Sequence, residues 1–100
     1  MIAQFKVAPI GQGESLSVYV AECCKIVEAS GLRHELTPMS TILEGDFDEV
    51  MAVIAKCHKR IRELSNRVVT SIEIDDRGGH ENAMEEKVKS VERKLRKKGK

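Results

Sequence analysis

The segment Arg67-Val68-Val69-Thr70-Ser71-Ile72-Glu73-Ile74-Asp75 is the clearest β-strand in the sequence. Its even-numbered positions carry only β-branched residues, whereas its odd-numbered positions are mostly polar, so the segment has the period of two that is typical of a strand. Residues 2–9 alternate in the same way, with Gln4 and Lys6 opposite an apolar face. Residues 32–37 and 40–44 are two shorter strand patterns separated by Pro38, which predicts a hairpin.

Helical patterns fill the intervals between these strands. Apolar residues recur at helical spacing from Leu16 to Val27, with Ser15 available as an N-cap and Gly31 placed to end the helix. A second helix is expected to begin after Gly45, where Asp46 and Glu49 form a capping-box pattern. Its predicted buried stripe consists of Phe47, Val50, Met51, Ile54, Cys57, Ile61 and Leu64.

Residues 81–100 are predicted to form a third, amphipathic helix with a basic tail. The element order is therefore βαββαβ plus one helix, over a single domain that comprises residues 1–100. Right-handed crossovers in two split βαβ units predict an α+β fold, the ferredoxin-like plait with a four-stranded antiparallel sheet. The crossover helices cover one sheet face, so a second subunit or the third helix must cover the other. We therefore expect a homo-oligomer.

The composition is that of a soluble globular protein, with 41% apolar and 33% charged residues. The chain has three cysteines and no CxxC pair, so neither a zinc ribbon nor a thioredoxin-type motif is present. It has no run of about 18 apolar residues and no signal-peptide pattern. We expect a reduced, cytoplasmic protein that has no membrane association and carries no metal or cofactor.

Charge is distributed unevenly along the chain. Residues 87–100 carry eight Lys or Arg and one acid, a charge of +7, while the remaining residues sum to −6. A basic tail can bind nucleic acid. RNA-binding plaits, however, stack bases on sheet aromatics, and the strands at 40–44 and 67–75 contain none. A solvated helix is therefore the favoured interpretation of the tail.

Thr41, Glu44 and His58 are the candidate ligand-binding residues, because a hydroxyl, a carboxylate and an imidazole can each bond a small polar ring. Two of these residues also have a structural alternative: Glu44 can belong to a helix-entry turn, and His58 can bond a backbone carbonyl. No set of nucleophile, base and orienting group can be assembled, so we expect no catalysis and name no catalytic residue.

An ordered set of short segments along nearly the whole chain carries a family resemblance. It consists of Val7-Ala8-Pro9-Ile10-Gly11 followed by Ser15-Leu16-Ser17, Ser30-Gly31-Leu32, Met39-Ser40-Thr41 with Glu44-Gly45, His58, and Arg67-Val68 through Ile74-Asp75-Asp76-Arg77. With this set the chain resembles the thiamine-binding-protein-like family of small ferredoxin-like proteins. The resemblance implies a homotetramer and a cleft for thiamine or its hydroxymethylpyrimidine part. It also implies Thr41, Glu44 and His58 as the polar lining, with Ser15 and Ser17 as further candidates.

We therefore expect a small-molecule-binding protein for thiamine or a related hydroxymethylpyrimidine. Twelve helical residues, about 18 Å of helix, separate Asp46 from His58, so Glu44 and His58 are expected to share a ligand only across a subunit interface. The alternative is a structural, interaction or regulatory module without catalysis, associated with nucleic acid through the basic tail. A homotetramer is preferred over a dimer.

Overall fold

Strand order and pairing define the architecture of the protein. The computed structural model describes residues 1–13, 16–78 and 83–98, with the side chains of the last range described for 87–95. The elements are β1 (Ile2–Pro9), α1 (Ser17–Ser30), β2 (Arg33–Leu36), β3 (Thr41–Glu44), α2 (Phe47–Leu64), β4 (Val68–Asp75) and α3 (Ala83–Lys98). The sheet order is β2-β3-β1-β4, and all neighbouring strands are antiparallel. The predicted α+β ferredoxin-like plait with an added C-terminal helix is confirmed.

The register of β1 determines which strand residues share a face. Ala3 and Phe5 are 0% and 2% exposed in the core beneath the helices, and they lie opposite Ile74 and Ile72 of β4. Because directly opposed residues share a face, the even-numbered residues of β4 lie on this helix-covered face. Gln4, Lys6 and the odd-numbered residues of β4 lie on the other side of the sheet, which we call the open face.

The core between the sheet and the two crossover helices is aliphatic. From α1 it contains Cys23 and Val27; from α2 it contains Val50, Val53, Ile54, Cys57 and Ile61. The predicted stripe of α2 is thus confirmed in its middle, and Val53 is an additional member. Phe47 and Leu64, at the two ends of α2, are 50% and 40% exposed and lie outside the core.

The helix boundaries agree with the predicted positions, but the capping differs. Gly31 ends α1 with a φ of 73°, the left-handed conformation that glycine adopts without strain. Asp46 is the N-cap residue of α2, yet its side chain makes no capping hydrogen bond, so the predicted capping box with Glu49 is not formed. The acids of the first turn, Asp48 and Glu49, still favour the positive end of the helix dipole. The N-cap residue of α1 is Leu16, whose side chain makes no capping hydrogen bond, so the prediction of Ser15 as the N-cap is wrong; Ser15 itself lies outside the described residues.

Helix α3 leaves its apolar stripe uncovered within one protomer. Val88, Val91 and Leu95 are all more than half exposed, and Lys87 forms an ion pair with Asp75 of β4. The radius of gyration is 15.9 Å, against about 13 Å for a compact domain of this length. The sequence predicted that a second subunit or the third helix covers the open face. The apolar stripe of α3 does not cover it. None of the helices in the described part of the chain has the length and hydropathy of a membrane span.

The Leu43→Ala substitution tests the core. Leu43 is fully buried, so the loss of its side chain should leave a cavity and lower the free energy of unfolding by about 2–5 kcal/mol in a urea titration. Leu36→Ala is the matched control, because Leu36 is 56% exposed on β2 and its loss should change stability by about 0.5 kcal/mol or less. Equal losses for both variants would contradict this packing.

Candidate functional site

A chain of side-chain hydrogen bonds crosses the open face. Ser40 Oγ donates to Gln4 Oε1 at 3.1 Å, and Gln4 Nε2 donates to Glu73 Oε1 at 3.0 Å. This polar track connects the β2–β3 hairpin, the central strand β1 and the edge strand β4. Gln4 is at its centre because it is an outward residue of the strand that pairs with both neighbours.

The polar track forms the floor of an open cleft of about 320 Å³, within the range of small-ligand sites. The cleft offers a carboxylate, an amide, two hydroxyls and an ammonium group, beside one thioether that is 75% exposed at Met39. The residues concerned are Gln4, Lys6, Met39, Ser40, Ser71 and Glu73. Such a set can both donate to and accept from a flat polar ring.

The hairpin holds Ser40 in position. Thr37 Oγ1 accepts hydrogen bonds from the backbone N–H groups of Met39 and Ser40, at 3.2 and 3.0 Å. The same hydroxyl donates to the carbonyl oxygen of Ser40 at 2.9 Å, and the Thr37 N–H donates to that oxygen as well. This Ser/Thr turn stabilises the reversal at Pro38. It therefore sets the approach of Ser40 and Met39 to the cleft.

Glu44 lies on the open face, at the end of β3, but it is not among the residues that line the cleft. It lies opposite Ile2 of β1. Ile2 and Gln4 are successive residues of β1 on the open face. Its side chain is 9% exposed, and Arg33 Nη1 lies 4.0 Å from Glu44 Oε1. A second cleft, of about 380 Å³, shares Gln4 and Glu73 with the first and extends past Asp75. The two clefts thus form one continuous surface on the open face, in which the carboxylates of Glu73 and Asp75 lie beside the ammonium groups of Lys6 and Lys87.

Thr41 and His58 lie on the helix-covered side of the sheet. Thr41 is opposite Phe5, and His58 Nδ1 is 2.6 Å from Thr70 Oγ1. Thr41 and Thr70 belong to strands on either side of β1, about 10 Å apart across the sheet, with the buried Phe5 ring between them. One protomer therefore does not bring Thr41, Glu44 and His58 together.

The remaining predicted residues lie at the start of α1. Ser17 is its first residue and is exposed. Ser15 is outside the described part of the chain. Ser17 does not line the open-face cleft.

His58 lines a separate groove at the outer edge of β4. The groove has a volume of about 270 Å³, and its walls are mainly apolar. We call it the His58 groove; it is formed by Met51, Ile54, Ala55, His58, Lys59, Thr70 and Ile72. It is open to solvent along the unpaired side of β4.

Neither Cys57 nor Cys24 is a reactive thiol. Cys57 is fully buried, and its thiol donates to the carbonyl oxygen of Cys23 at 3.7 Å. Its hydrogen bond with Cys23, together with burial, raises the pKa of the Cys57 thiol, and burial likewise raises the pKa of the Cys24 thiol. Both thiols therefore stay protonated at neutral pH. Among the described residues, no group of His, Cys, Asp or Glu is arranged to hold a metal ion.

Sequence reasoning missed the polar track. The alternation of residues 2–9 does show that Gln4 and Lys6 are exposed on the face opposite the core. It does not show that Ser40 and Glu73, 36 and 69 residues away along the chain, meet Gln4. That information lies in the strand order and register.

The fold and the clefts define a ferredoxin-like plait with a ligand-sized polar site on its uncovered sheet face. A family model described as thiamine-binding protein matches residues 3–92. The chain therefore belongs to this family.

Individual relatives agree with the assignment. The UPF0045 protein YqgV of Bacillus subtilis is 39% identical over 100 residues, covering 94% of this chain and 96% of that protein. The solved structure of MJ1052 from Methanocaldococcus jannaschii is similar with a TM-score of 0.83 at 34% identity, over 90% of this chain and 93% of that one.

A Thermotoga maritima protein, provisionally described as a thiamine biosynthesis/salvage protein, has the same fold. Its TM-score is 0.78 at 24% identity, over 90% of this chain and 96% of that one. At this identity the likeness supports the fold alone.

The Thr70→Val substitution tests the hydrogen bond in the His58 groove. It removes the partner of the half-buried His58 Nδ1 and should lower the free energy of unfolding by about 1 kcal/mol. Thr41→Val is the control, because Thr41 is also half-buried on the same face and its hydroxyl has no partner within the described residues. Urea unfolding that gives equal effects for the two variants would show that the bond contributes nothing.

Proposed function

We propose that this protein binds thiamine or a related hydroxymethylpyrimidine without covalent chemistry, and that the open-face cleft receives the pyrimidine. The observation that supports this most strongly is the polar track Ser40–Gln4–Glu73 in a chain that belongs to the thiamine-binding protein family.

The functional groups of the cleft complement those of the proposed ligand. An aminopyrimidine has an exocyclic amine that donates and ring nitrogens that accept. A carboxylate such as Glu73 accepts several hydrogen bonds, so its bond from Gln4 leaves capacity for the amine. The hydroxyl of Ser71 can donate to a ring nitrogen, and the oxygen of Ser40, whose proton is on Gln4, can still accept from the amine. Met39 offers an apolar contact for the ring.

Charge favours the intact vitamin as well. Thiamine carries a positive thiazolium ring, and the second cleft extends from Glu73 towards Asp75. Both side chains are acidic and lie on the open face. Asp75 is paired with Lys87 in the second cleft, so Glu73, which both clefts share, is the carboxylate that would attract the thiazolium ring of a ligand bound at the polar track.

We also propose that the working form is a homo-oligomer, a tetramer rather than a dimer, with the ligand site at a subunit interface. Supporting this, Val69 on the open face is 45% exposed, and the apolar stripe of α3 is uncovered. Light scattering should return a multiple of the 11.2 kDa protomer mass. A mass near 11.2 kDa at micromolar concentration would reject the oligomer.

Calorimetric titration with thiamine and with hydroxymethylpyrimidine tests the ligand. Glu73→Gln should weaken binding at least about tenfold, because a neutral amide replaces the carboxylate that accepts from the amine; tenfold corresponds to about 1.4 kcal/mol. Glu63→Gln is the matched control, since Glu63 lies on α2, away from the cleft, and its side chain is 65% exposed. Absence of heat with either ligand, or equal weakening by both variants, would refute the proposal.

The same titration examines the residues predicted from the sequence. Glu44→Gln should weaken binding because Glu44 shares the open face with the cleft. His58→Ala should do so only if His58 of one protomer reaches a ligand held by another. Recovery of chemically unchanged thiamine after incubation would support binding without catalysis, whereas a converted product would contradict it.

A further inference from the structure

Two cysteine side chains meet where α1 packs on α2. Cys23 and Val27, one helical turn apart, are the buried residues of α1, and Cys57 lies in the buried stripe of α2. The thiol of Cys57 donates to the carbonyl oxygen of Cys23 at 3.7 Å, and its other acceptor is the sulfur of Cys23 itself. The fold thus brings into contact two thiols that are 34 positions apart in the chain.

The two thiols differ in acidity. The hydrogen bond from the Cys57 thiol lowers the pKa of the Cys23 thiol, although burial and the carboxylate of Glu22 act in the opposite direction. The same hydrogen bond, together with burial, raises the pKa of the Cys57 thiol. Because the thiolate is the nucleophilic form of cysteine, Cys23 is the member of the pair that reacts first. Redox-sensing cysteines share this arrangement, in which a low-pKa thiol lies next to a resolving thiol.

We propose that Cys23 and Cys57 are an oxidation site, at which a small, neutral hydroperoxide such as hydrogen peroxide forms a reversible disulfide within one protomer. The site is independent of the proposed ligand and of the oligomer. Cys23 is 8% exposed and Cys57 is fully buried, so the entry at Cys23 admits a molecule of two oxygen atoms but not a bulky disulfide such as oxidised glutathione. In a reducing compartment the bond is transient.

The oxidation has two steps. First, the Cys23 thiolate attacks one oxygen of hydrogen peroxide: an S–O bond forms, the O–O bond breaks, and the leaving hydroxide takes up the proton that Cys23 released. Cys23 is then a sulfenic acid. Second, the Cys57 sulfur attacks the Cys23 sulfur: the S–S bond forms, the S–O bond breaks, and the leaving hydroxide takes the Cys57 proton. Two thiols are oxidised, and one peroxide is reduced to two waters. Exchange with a thiol reductant reverses the change.

The Cys57 thiol becomes the attacking group only after the first step. Its proton is held mainly by the contact with Cys23, and a neutral sulfenic acid holds this proton less strongly than a thiolate does. Cys24 is a poorer competitor, because consecutive residues of a helix point about 100° apart and because burial raises the pKa of its thiol. The sulfurs of Cys23 and Cys57 need only shorten a hydrogen-bond contact to a bond of about 2.05 Å.

The disulfide would join the two crossover helices. It closes a loop that contains β2, β3 and the first part of α2, and a closed loop of this length restricts the unfolded chain. The oxidised protein should therefore melt about 10 °C above the reduced protein. Thermal unfolding followed by circular dichroism measures this difference.

Peptide mapping after treatment with one equivalent of hydrogen peroxide tests the site. Free thiols are blocked with N-ethylmaleimide in denaturant, and the protein is digested with trypsin, which releases the peptides 7–25 and 57–59. These two peptides should be joined, with Cys24 blocked, and dithiothreitol should separate them. Non-reducing gels should show the mass of one protomer.

Cys24→Ser is the matched control, because it keeps the pair and should form the same bond, whereas Cys23→Ser should form none and retain both of its thiols. The wild type and Cys24→Ser decide the outcome even if circular dichroism shows that Cys23→Ser is unfolded. The inference fails if folded Cys24→Ser retains both thiols after treatment, or if the bond in the wild type involves Cys24 or links two protomers. It also fails if oxidised glutathione forms the bond as readily as hydrogen peroxide, or if the oxidised protein melts no higher than the reduced protein.

Discussion

The burial of Ala3 and Phe5 beneath the crossover helices is the constraint on which the rest of the structure depends. Strand β1 is central, so its alternation is transmitted to both neighbours by the ladder registers. A slip of one residue would turn every side chain to the opposite face. With Phe5 in the core, Gln4 must point outward. The same register puts Glu73 beside Gln4, and the polar track follows from this.

The two sides of the sheet therefore have different chemistry. The helix-covered side is aliphatic, with His58 and Thr70 bonded to each other at its margin. The open face is polar, with amide, hydroxyl, carboxylate and ammonium groups along its clefts. A polar ligand can form hydrogen bonds on the open face, because the protein supplies donors and acceptors there. On the helix-covered side the His58 groove is accessible, and its walls are mainly apolar.

The candidate site shows what residue types alone can and cannot predict about a binding site. A hydroxyl, a carboxylate and an imidazole were selected for their chemistry, but Thr41 and Glu44 are three positions apart on one strand and point to opposite faces. Phe5 also separates Thr41 from the Thr70–His58 pair. Ser40 and Gln4, in contrast, were not selected as site residues from the sequence. They belong to the polar track only because β3 pairs with β1.

By itself, the sequence determined the elements, their order and the fold class. Period-two alternation and helical stripes are local properties, and the βαββαβ order leaves few topologies that obey right-handed crossovers. Family membership could also be inferred from the sequence, because an ordered set of short segments along the chain carries the resemblance. Only the tertiary structure decided the contents of the site. These depend on register, which joins residues up to 69 positions apart and which local patterns do not encode.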